Sequence, residues 1–337
     1  MKKLKVAING FGRIGRQIFR VNLEKKYFDI VAINDLSDAK TLAHLLKYDS
    51  NYGTIKNKVD HTETSIVVDG KNYPVFKERE PNKLPWKKLG VDVVLEATGY
   101  FTDRAGAELH LKAGAKKVVI TAPGKDVDFS VVLGVNDKDY NPKKHKIIAN
   151  VSCTTNALAP LVKVLHDNLG IEKGLMTTIH SYTNDQRILD LPHEDLRRAR
   201  AAALSQIPTT TGAAKAVTMV IPELEGKLNG LAIRVPTPTV SLVDFTCLTN
   251  KDTTAETVNN LFKKAEKSSL KNILGTSDIP LVSVDYKGNP LSSIVDLPST
   301  QVIGGNMIKV LSWYDNEWGY SNRVADLVKL MGDKGVA

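Results

Sequence analysis

The sequence predicts an α/β chain of two domains, a parallel sheet covered on both faces and then an α+β domain with a largely antiparallel sheet. Three observations carry this. Short Val/Ile-rich strands alternate with amphipathic helices up to about residue 150. Beyond Ser152 the strands lengthen and alternate apolar with polar, as in a sheet with one covered face. A length of 337 residues suits about two domains. Residues 1–151 form the first domain and 152–316 the second, joined without a linker, and residues 317–337 pack back on the first.

In order, Lys3 to Asn9 is a β-rich run, followed by Gly10, Gly12 and Gly15 and a helix with Ile14, Ile18, Phe19 and Val21 at helical spacing. Phe28 to Asp35 is the second strand, and Asp38 to Tyr48 a helix with Leu42, Leu45 and Leu46 on one face. Ser65 to Val75 reads as a hairpin turning at Asp69-Gly70. Val91 to Thr98 is a continuous apolar strand, Gly106 to Ala113 a helix, and Lys117 to Ala122 a buried strand. VVLGV near Val131 and KIIANVS near Ile147 complete the first series. A helix over Ala157 to Leu169 then leads to GLMTTIHSY, the long run Leu231 to Asn250, Met307 to Asn316, and a final helix from Glu317.

Charge and composition exclude several classes. Hydrophobic residues make up 42% and charged residues 25%, so the chain can bury a large core and is not disordered. No apolar run approaches the roughly 18 residues of a membrane span, and the N-terminus lacks the features of a signal peptide. The net charge of +9 favours small anions such as phosphates. Its basic residues come as scattered pairs, solvated faces of helices and loops, which sets nucleic-acid binding aside as the main function. Two cysteines, Cys153 and Cys247, predict a reducing, cytosolic compartment.

Gly10-Phe11-Gly12-Arg13-Ile14-Gly15 matches GxGxxG. The motif follows a strand, opens a helix and precedes a strand ending in Asp35, which is the context of a Rossmann dinucleotide site. The first glycine permits the turn, the second the approach of a pyrophosphate, and the third close packing of helix on strand; the helix start supplies N–H groups. A carboxylate at Asp35 accepts from ribose hydroxyls and repels a 2′-phosphate, and Leu36 beside it offers that phosphate no cation. The cofactor expected is NAD.

Cys153 lies between a strand and an apolar helix, at or just before the helix start. The N–H groups and dipole there favour thiolate, so its pKa is expected to fall. Position alone leaves simple burial open. Cys247, inside VDFTCLT, reads as a small buried hydrophobe. Among seven histidines, His180 closes a strand and enters a long polar loop, a better place for a base than His166 on an amphipathic helix.

The segments INGFGRIGR, SCTTNALAP, HSYTNDQ, DLRRARAAA, PTTTGAAKAV, RVPTPTVSLVD and SWYDNEWGYSNRV, spread in this order over essentially the whole chain, resemble phosphorylating glyceraldehyde-3-phosphate dehydrogenases. The resemblance implies that Cys153 is the nucleophile and His180 its base. Thr183 and Arg234, with Arg198, would hold the substrate phosphate. Ser152, Thr154, Thr211 and Gly212 would hold inorganic phosphate. Asn316 would fix the nicotinamide carboxamide with Tyr320 beside it, Arg13 and Ile14 would offer backbone to the pyrophosphate, Asp35 would bind the adenosine ribose, and Arg79, Thr98 and Thr121 would line the cofactor groove. No metal is expected.

By the same resemblance the loop from Ser181 to about Pro208 packs near a neighbour's cofactor in a homotetramer. The expected chemistry is thiolate attack on glyceraldehyde 3-phosphate, oxidation of the hemithioacetal to a thioester, and capture by phosphate as 1,3-bisphosphoglycerate. Ala157 stands where the family often has a second cysteine, so no disulfide between those positions can form and oxidative regulation of Cys153 would use sulfenic acid or a mixed disulfide. Leu36 and Leu191-Pro192 follow the NAD pattern. Erythrose-4-phosphate dehydrogenase is the nearest alternative, and a protein chiefly binding RNA or a surface a remote one.

Overall fold

A computed structural model describes residues 3–336 and divides into two compact units. Of the described residues, the first contains 3–131, 139–151 and 321–336, the second 132–138 and 152–320.

The first unit begins with β1 (Lys5–Asn9), α1 (Arg13–Lys25), β2 (Asp29–Asn34) and α2 (Ala39–Lys47), which Asp38 caps by accepting from Thr41 N. Short strands β3 (Tyr48–Asp49), β4 (Gly53–Thr54) and β5 (Val59–His61) follow. Then come β6 (Ser65–Val68), β7 (Lys71–Phe76), α3 (Trp86–Leu89), β8 (Val93–Glu96), α4 (Arg104–Lys112), β9 (Lys117–Ile120), β10 (Phe129–Ser130) and β11 (Ile147–Ala149). Nine strands form one sheet in the order β10-β11-β9-β8-β1-β2-β7-β6-β5. All pairs from β10 to β7 are parallel, and the β5-β6-β7 edge is antiparallel. The expected hairpin turns at Asp69 and Gly70, both at positive φ, as a two-residue turn requires.

The centre of this sheet is dry. Val6, Ile8, Ile33, Val93, Leu95, Val119 and Ile120 are all at 0% exposure, each contributing about 1.5–3 kcal/mol of burial. The VVLGV segment is not the strand expected. Only Phe129–Ser130 pairs, because Asn136 accepts from Val132 N and Asp137 from Gly134 N, turning the chain with Gly134 at φ +79°.

The second unit contains α5 (Cys153–Leu169), β12 (Ile171–Ser181), β13 (Ile207–Thr210), α6 (Ala213–Thr218), β14 (Leu228–Val235), β15 (Ser241–Thr249), α7 (Ala255–Lys267), β16 (Leu274–Ser277), β17 (Ser293–Ile303) and β18 (Met307–Tyr314). Helix α8 (Trp318–Lys334) begins in this unit and runs into the first, where Lys25 Nζ meets Asp326 Oδ1 at 3.0 Å. The sheet order is β13-β14-β12-β15-β18-β17-β16, with only β12-β14 and β16-β17 parallel. Strand β15 buries Ser241, Val243, Phe245, Cys247 and Thr249 and leaves the alternate residues half-exposed; α5 packs on this sheet.

The helix expected from Ala157 starts four residues earlier, at Cys153, because Ser152 caps it. The long run Leu231 to Asn250 is two strands, broken at residues 236–240 by Pro236, Pro238 and a left-handed Val240. Strands β13, β16 and β17 and helix α7 carried no reading in the sequence.

Candidate functional site

In the first unit a cleft of about 570 Å³ opens at the C-terminal ends of β1 and β2, where Asn9, Gly10, Gly12, Asn34, Asp35, Leu36, Arg79 and Thr98 meet. Gly10 holds φ +91°, and a Cβ there would lie 2.6 Å from Thr98 N. A Cβ on Gly15 would strike the Gly10 carbonyl oxygen at 2.2 Å, so the helix seats on the turn only with glycine. A Cβ on Gly12 would meet nothing within 4 Å, which leaves open space over the start of α1. The first helical hydrogen bond is Arg16 N to Gly12 O, so the N–H groups of residues 13–15 precede the ladder. Anionic phosphates fit there.

Asp35 Oδ2 accepts from the buried Phe11's backbone N at 2.8 Å, which ties the second strand to the glycine turn. The Arg13 guanidinium is turned to Asp49 (2.6 Å), so this residue offers the cleft backbone rather than charge. Ile14 follows it in the first turn of α1. Arg79 and Thr98 are exposed on the cleft wall. Thr121 is half-buried, its hydroxyl donating to the Glu96 carbonyl.

In the second unit Ser152 caps α5 through Thr155 N (3.0 Å), which makes Cys153 the first residue of the helix. Cys153 Sγ lies 3.4 Å from His180 Nε2, at the end of β12. His180 Nδ1 lies 2.7 Å from the Ser181 carbonyl, which can only accept, and 2.8 Å from Arg234 Nη1, which can only donate. Both bonds cannot exist at once. Arg234 Nη1 has a second acceptor in Ser181 O at 3.1 Å, so Nδ1 carries the proton and Nε2 presents a lone pair to the sulfur. Burial, with the Arg234 charge, drives His180 down to about 3, so the imidazole is neutral near pH 7.

The thiol departs from expectation. Burial pushes it up and outweighs the pull of Arg234 and of the N-terminal helical N–H groups. Across 3.4 Å the sulfur faces the lone pair of His180 Nε2. Cys247 is buried in β15 as expected, its pKa pushed up to about 12 by desolvation.

Thr183 is half-buried just past His180. Arg234 is half-buried and its buried Nε has no partner among the described residues, which marks room for an acceptor. Arg198 is differently placed: it binds Asp185 at 2.6 Å, Thr209 Oγ1 at 2.9 Å and the Thr210 carbonyl at 3.1 Å. Its guanidinium is committed to the loop. The Thr154 hydroxyl is buried against Tyr314 Oη at 2.8 Å. Thr211 Oγ1 accepts from Ala213 N, and Gly212 caps the short α6. Asn316 is buried, its Oδ1 accepting from Ser241 Oγ at 2.9 Å, and Tyr320 is buried near the start of α8.

Several members escaped sequence reasoning. Ser241 also accepts from Ser181 N, so one hydroxyl ties the backbone beside His180 to Asn316. Tyr314 lies edge-on to His180 at 6.1 Å and bonds Thr154 and Thr178. Val151 (φ +45°) and Val240 (φ +69°) are buried β-branched residues in the left-handed region, each costing about 1–3 kcal/mol. One precedes Ser152-Cys153 and the other precedes Ser241. Nothing in a valine signals such a conformation.

Residues 4–104 match the family profile described as glyceraldehyde 3-phosphate dehydrogenase, NAD binding domain, and residues 152–316 match the C-terminal domain of the same family. The chain is 59% identical over 332 residues to glyceraldehyde-3-phosphate dehydrogenase 1 of Bacillus cereus, covering 98% of this chain and 99% of that one. It is 58% identical to glyceraldehyde-3-phosphate dehydrogenase of Geobacillus stearothermophilus, covering 99% of each. For the enzyme of Borreliella burgdorferi the identity is 59%, over 97% of this chain and 99% of that one. With both halves matched and relatives aligned almost end to end, the chain belongs to the glyceraldehyde-3-phosphate dehydrogenase family.

Proposed function

We propose that the chain oxidises glyceraldehyde 3-phosphate, with NAD and inorganic phosphate, to 1,3-bisphosphoglycerate through a thioester on Cys153. The observation that carries this reading is the 3.4 Å approach of the Cys153 sulfur to the unprotonated face of His180 at the start of α5. Cys153 gives its proton to His180 Nε2 and adds to the aldehyde carbon. His180 returns that proton to the aldehyde oxygen and takes it back from the hemithioacetal hydroxyl as the hydride leaves, its Nδ1–H kept on the Ser181 carbonyl. NAD, when bound, supplies the acceptor for the hydride of that carbon. The thioester is an activated acyl group, and phosphate displaces the sulfur.

Two phosphate sites are therefore needed. Thr183 and Arg234 are assigned to the substrate's own phosphate, and the unsatisfied Arg234 Nε supports this. Ser152, Thr154, Thr211 and Gly212 are assigned to inorganic phosphate, Thr154 through its backbone because its hydroxyl faces Tyr314. The open space over Gly12 and the Asp35 carboxylate fit the pyrophosphate and adenosine ribose of NAD. Arg13 and Ile14 would contribute backbone N–H groups there, Arg79, Thr98 and Thr121 would line the cofactor groove, and Asn316 and Tyr320 would lie at the nicotinamide.

Domain limits of 1–151 with 317–337, and 152–316, a homotetrameric assembly and a cytoplasmic location complete the proposal. No described helix is long and apolar enough to cross a membrane. Sedimentation or light scattering tests the assembly. The activity is tested by NADH absorbance with glyceraldehyde 3-phosphate, with and without phosphate, before and after alkylation by iodoacetamide. Phosphate-dependent, alkylation-sensitive reduction is expected. Preference for erythrose 4-phosphate, or indifference to phosphate, would overturn it.

A further inference from the structure

Beneath the first unit's cleft lies a polar network that the proposed mechanism does not use. Glu96, at the end of β8, is 1% exposed. Its Oε2 accepts from Asn9 Nδ2 at 2.6 Å and lies 3.0 Å from His110 Nε2. Its Oε1 accepts from Thr98 N at 2.9 Å and from the Thr98 hydroxyl. Glu96 and His110 look like an ion pair, but Trp86 decides otherwise. An indole N–H can only donate, and Trp86 Nε1 lies 3.0 Å from His110 Nδ1. Nδ1 is therefore an acceptor, His110 is neutral, and its single proton sits on Nε2 and points at Glu96. The 3.4 Å contact of Asn9 Nδ2 with Nε2 is then no hydrogen bond.

Every arrow converges. Asn34 Nδ2 donates to Asn9 Oδ1 at 2.7 Å, and Asn9, His110 and Thr98 donate to Glu96. Asn9 Nδ2, His110 Nε2 and Thr98 N are fixed donors, and a carboxylate accepts from all three and from the Thr98 hydroxyl together. The consequence reaches the cleft wall at Thr98. Its hydroxyl proton is spent on Glu96, and one lone pair accepts from Tyr100 N at 3.0 Å. What remains for a ligand is one lone pair.

We propose that Glu96 is a positioning residue for the dinucleotide: by taking the Thr98 hydroxyl proton, it makes Thr98 an obligatory acceptor in the cleft, selective for a donor group of the nucleotide over an added phosphate. This rests on the NAD reading of the cleft. Together with Asp35, it gives the wall two acceptors and no hydroxyl donor at Thr98.

Glu96→Gln tests it. In the Oε2 place the new NH₂ would meet two fixed donors, Asn9 Nδ2 and the Nε2–H of His110, and in the Oε1 place one, Thr98 N, so the amide faces Thr98, whose hydroxyl can turn to accept it and aim its proton at the cleft. The expected result is a KM for NAD raised about tenfold and a lower preference for NAD over NADP, with kcat and the KM for aldehyde within about twofold. In a Thr98→Val background the same substitution should change the KM for NAD less than about twofold. Equal effects in both backgrounds, or an unchanged KM in the single variant, would overturn the assignment. If Glu96→Gln does not fold, Thr98→Val must weaken NAD at least about fivefold more than Thr98→Ser; equal losses overturn it. Calorimetry of the unsubstituted protein with NAD separates the two failures: no binding there sinks the cofactor reading, whereas binding that Glu96→Gln leaves intact sinks this one alone.

Discussion

The nucleotide cleft and the thiol corner solve their backbone problems in opposite ways. In the cleft the left-handed residue is Gly10, for which φ +91° carries little steric cost. Around the thiol the left-handed residues are Val151 and Val240, for which it does. The cleft's main parts also lie close in sequence, with Phe11 bonded to Asp35 24 residues on. The corner gathers its parts over greater separations: 27 residues from Cys153 to His180, 54 from His180 to Arg234 and 160 from Thr154 to Tyr314. A strained, long-range arrangement persists only where surrounding bonds over-determine it, and here those bonds run through Ser181, Ser241 and Tyr314. The cleft is a local motif; the corner is held by the sheet.

If that contrast is right, chemistry should fail at the corner while the cleft goes on binding. Cys153→Ser should lower turnover by on the order of 10⁴ or more, while titration still detects NAD. Turnover within tenfold of the parent would remove the sulfur from the reaction. His180→Asn comes next, with a loss of about 10²–10⁴ expected for a missing general base. Because His180 Nε2 faces the sulfur at 3.4 Å, alkylation of Cys153 near pH 7 should slow as well. Unchanged iodoacetamide kinetics would mean that the imidazole does not serve the sulfur.

Arg234→Gln links charge to pH. The Arg234 cation pulls the Cys153 pKa down, so its removal must move the alkylation inflection to higher pH. A loss of about 10–100-fold in kcat/KM for glyceraldehyde 3-phosphate should accompany it, the value of a charged phosphate contact. An inflection that stays or falls would separate Arg234 from the thiol. At the cleft, Asp35→Gly should shrink the preference for NAD over NADP about tenfold and leave alkylation untouched. An unaltered ratio would show that the carboxylate does not read the ribose.

The same contrast explains what could be read in advance. GxGxxG, Asp35 and the parallel sheet were legible because glycine, a strand-end carboxylate and continuous apolar strands each carry a local signal. The nucleophile was legible through Ser152-Cys153 at a helix start. Position alone left its burial open and showed only the helix-start groups that lower the thiol pKa, because desolvation depends on segments far along the chain. Arg198 was placed on phosphate by resemblance, whereas its bonds to Asp185 in the loop and to Thr209 in β13 come from segments that no local signal joins. Glu96 gave no signal, since a buried carboxylate in VVLEAT looks like any strand residue until Trp86 and His110 fold over it.

The smallest effect tests whether the strain matters. Val240→Gly removes a left-handed valine, relieving about 1–3 kcal/mol. It also gives up the burial of a side chain at 3% exposure, about 1.5–3 kcal/mol, and adds about 0.5–1 kcal/mol of backbone freedom to the unfolded chain. These terms nearly offset, so Tm should move by only a few degrees. Activity should not be spared in the same way. The Val240 carbonyl holds Ser181 Oγ at 2.8 Å, and Ser241 next to it holds both Ser181 N and Asn316. A looser backbone there should lower kcat several-fold with Tm almost constant. A large fall in Tm with kcat intact would make the valine ordinary packing and reduce the difference between corner and cleft to one of sequence distance.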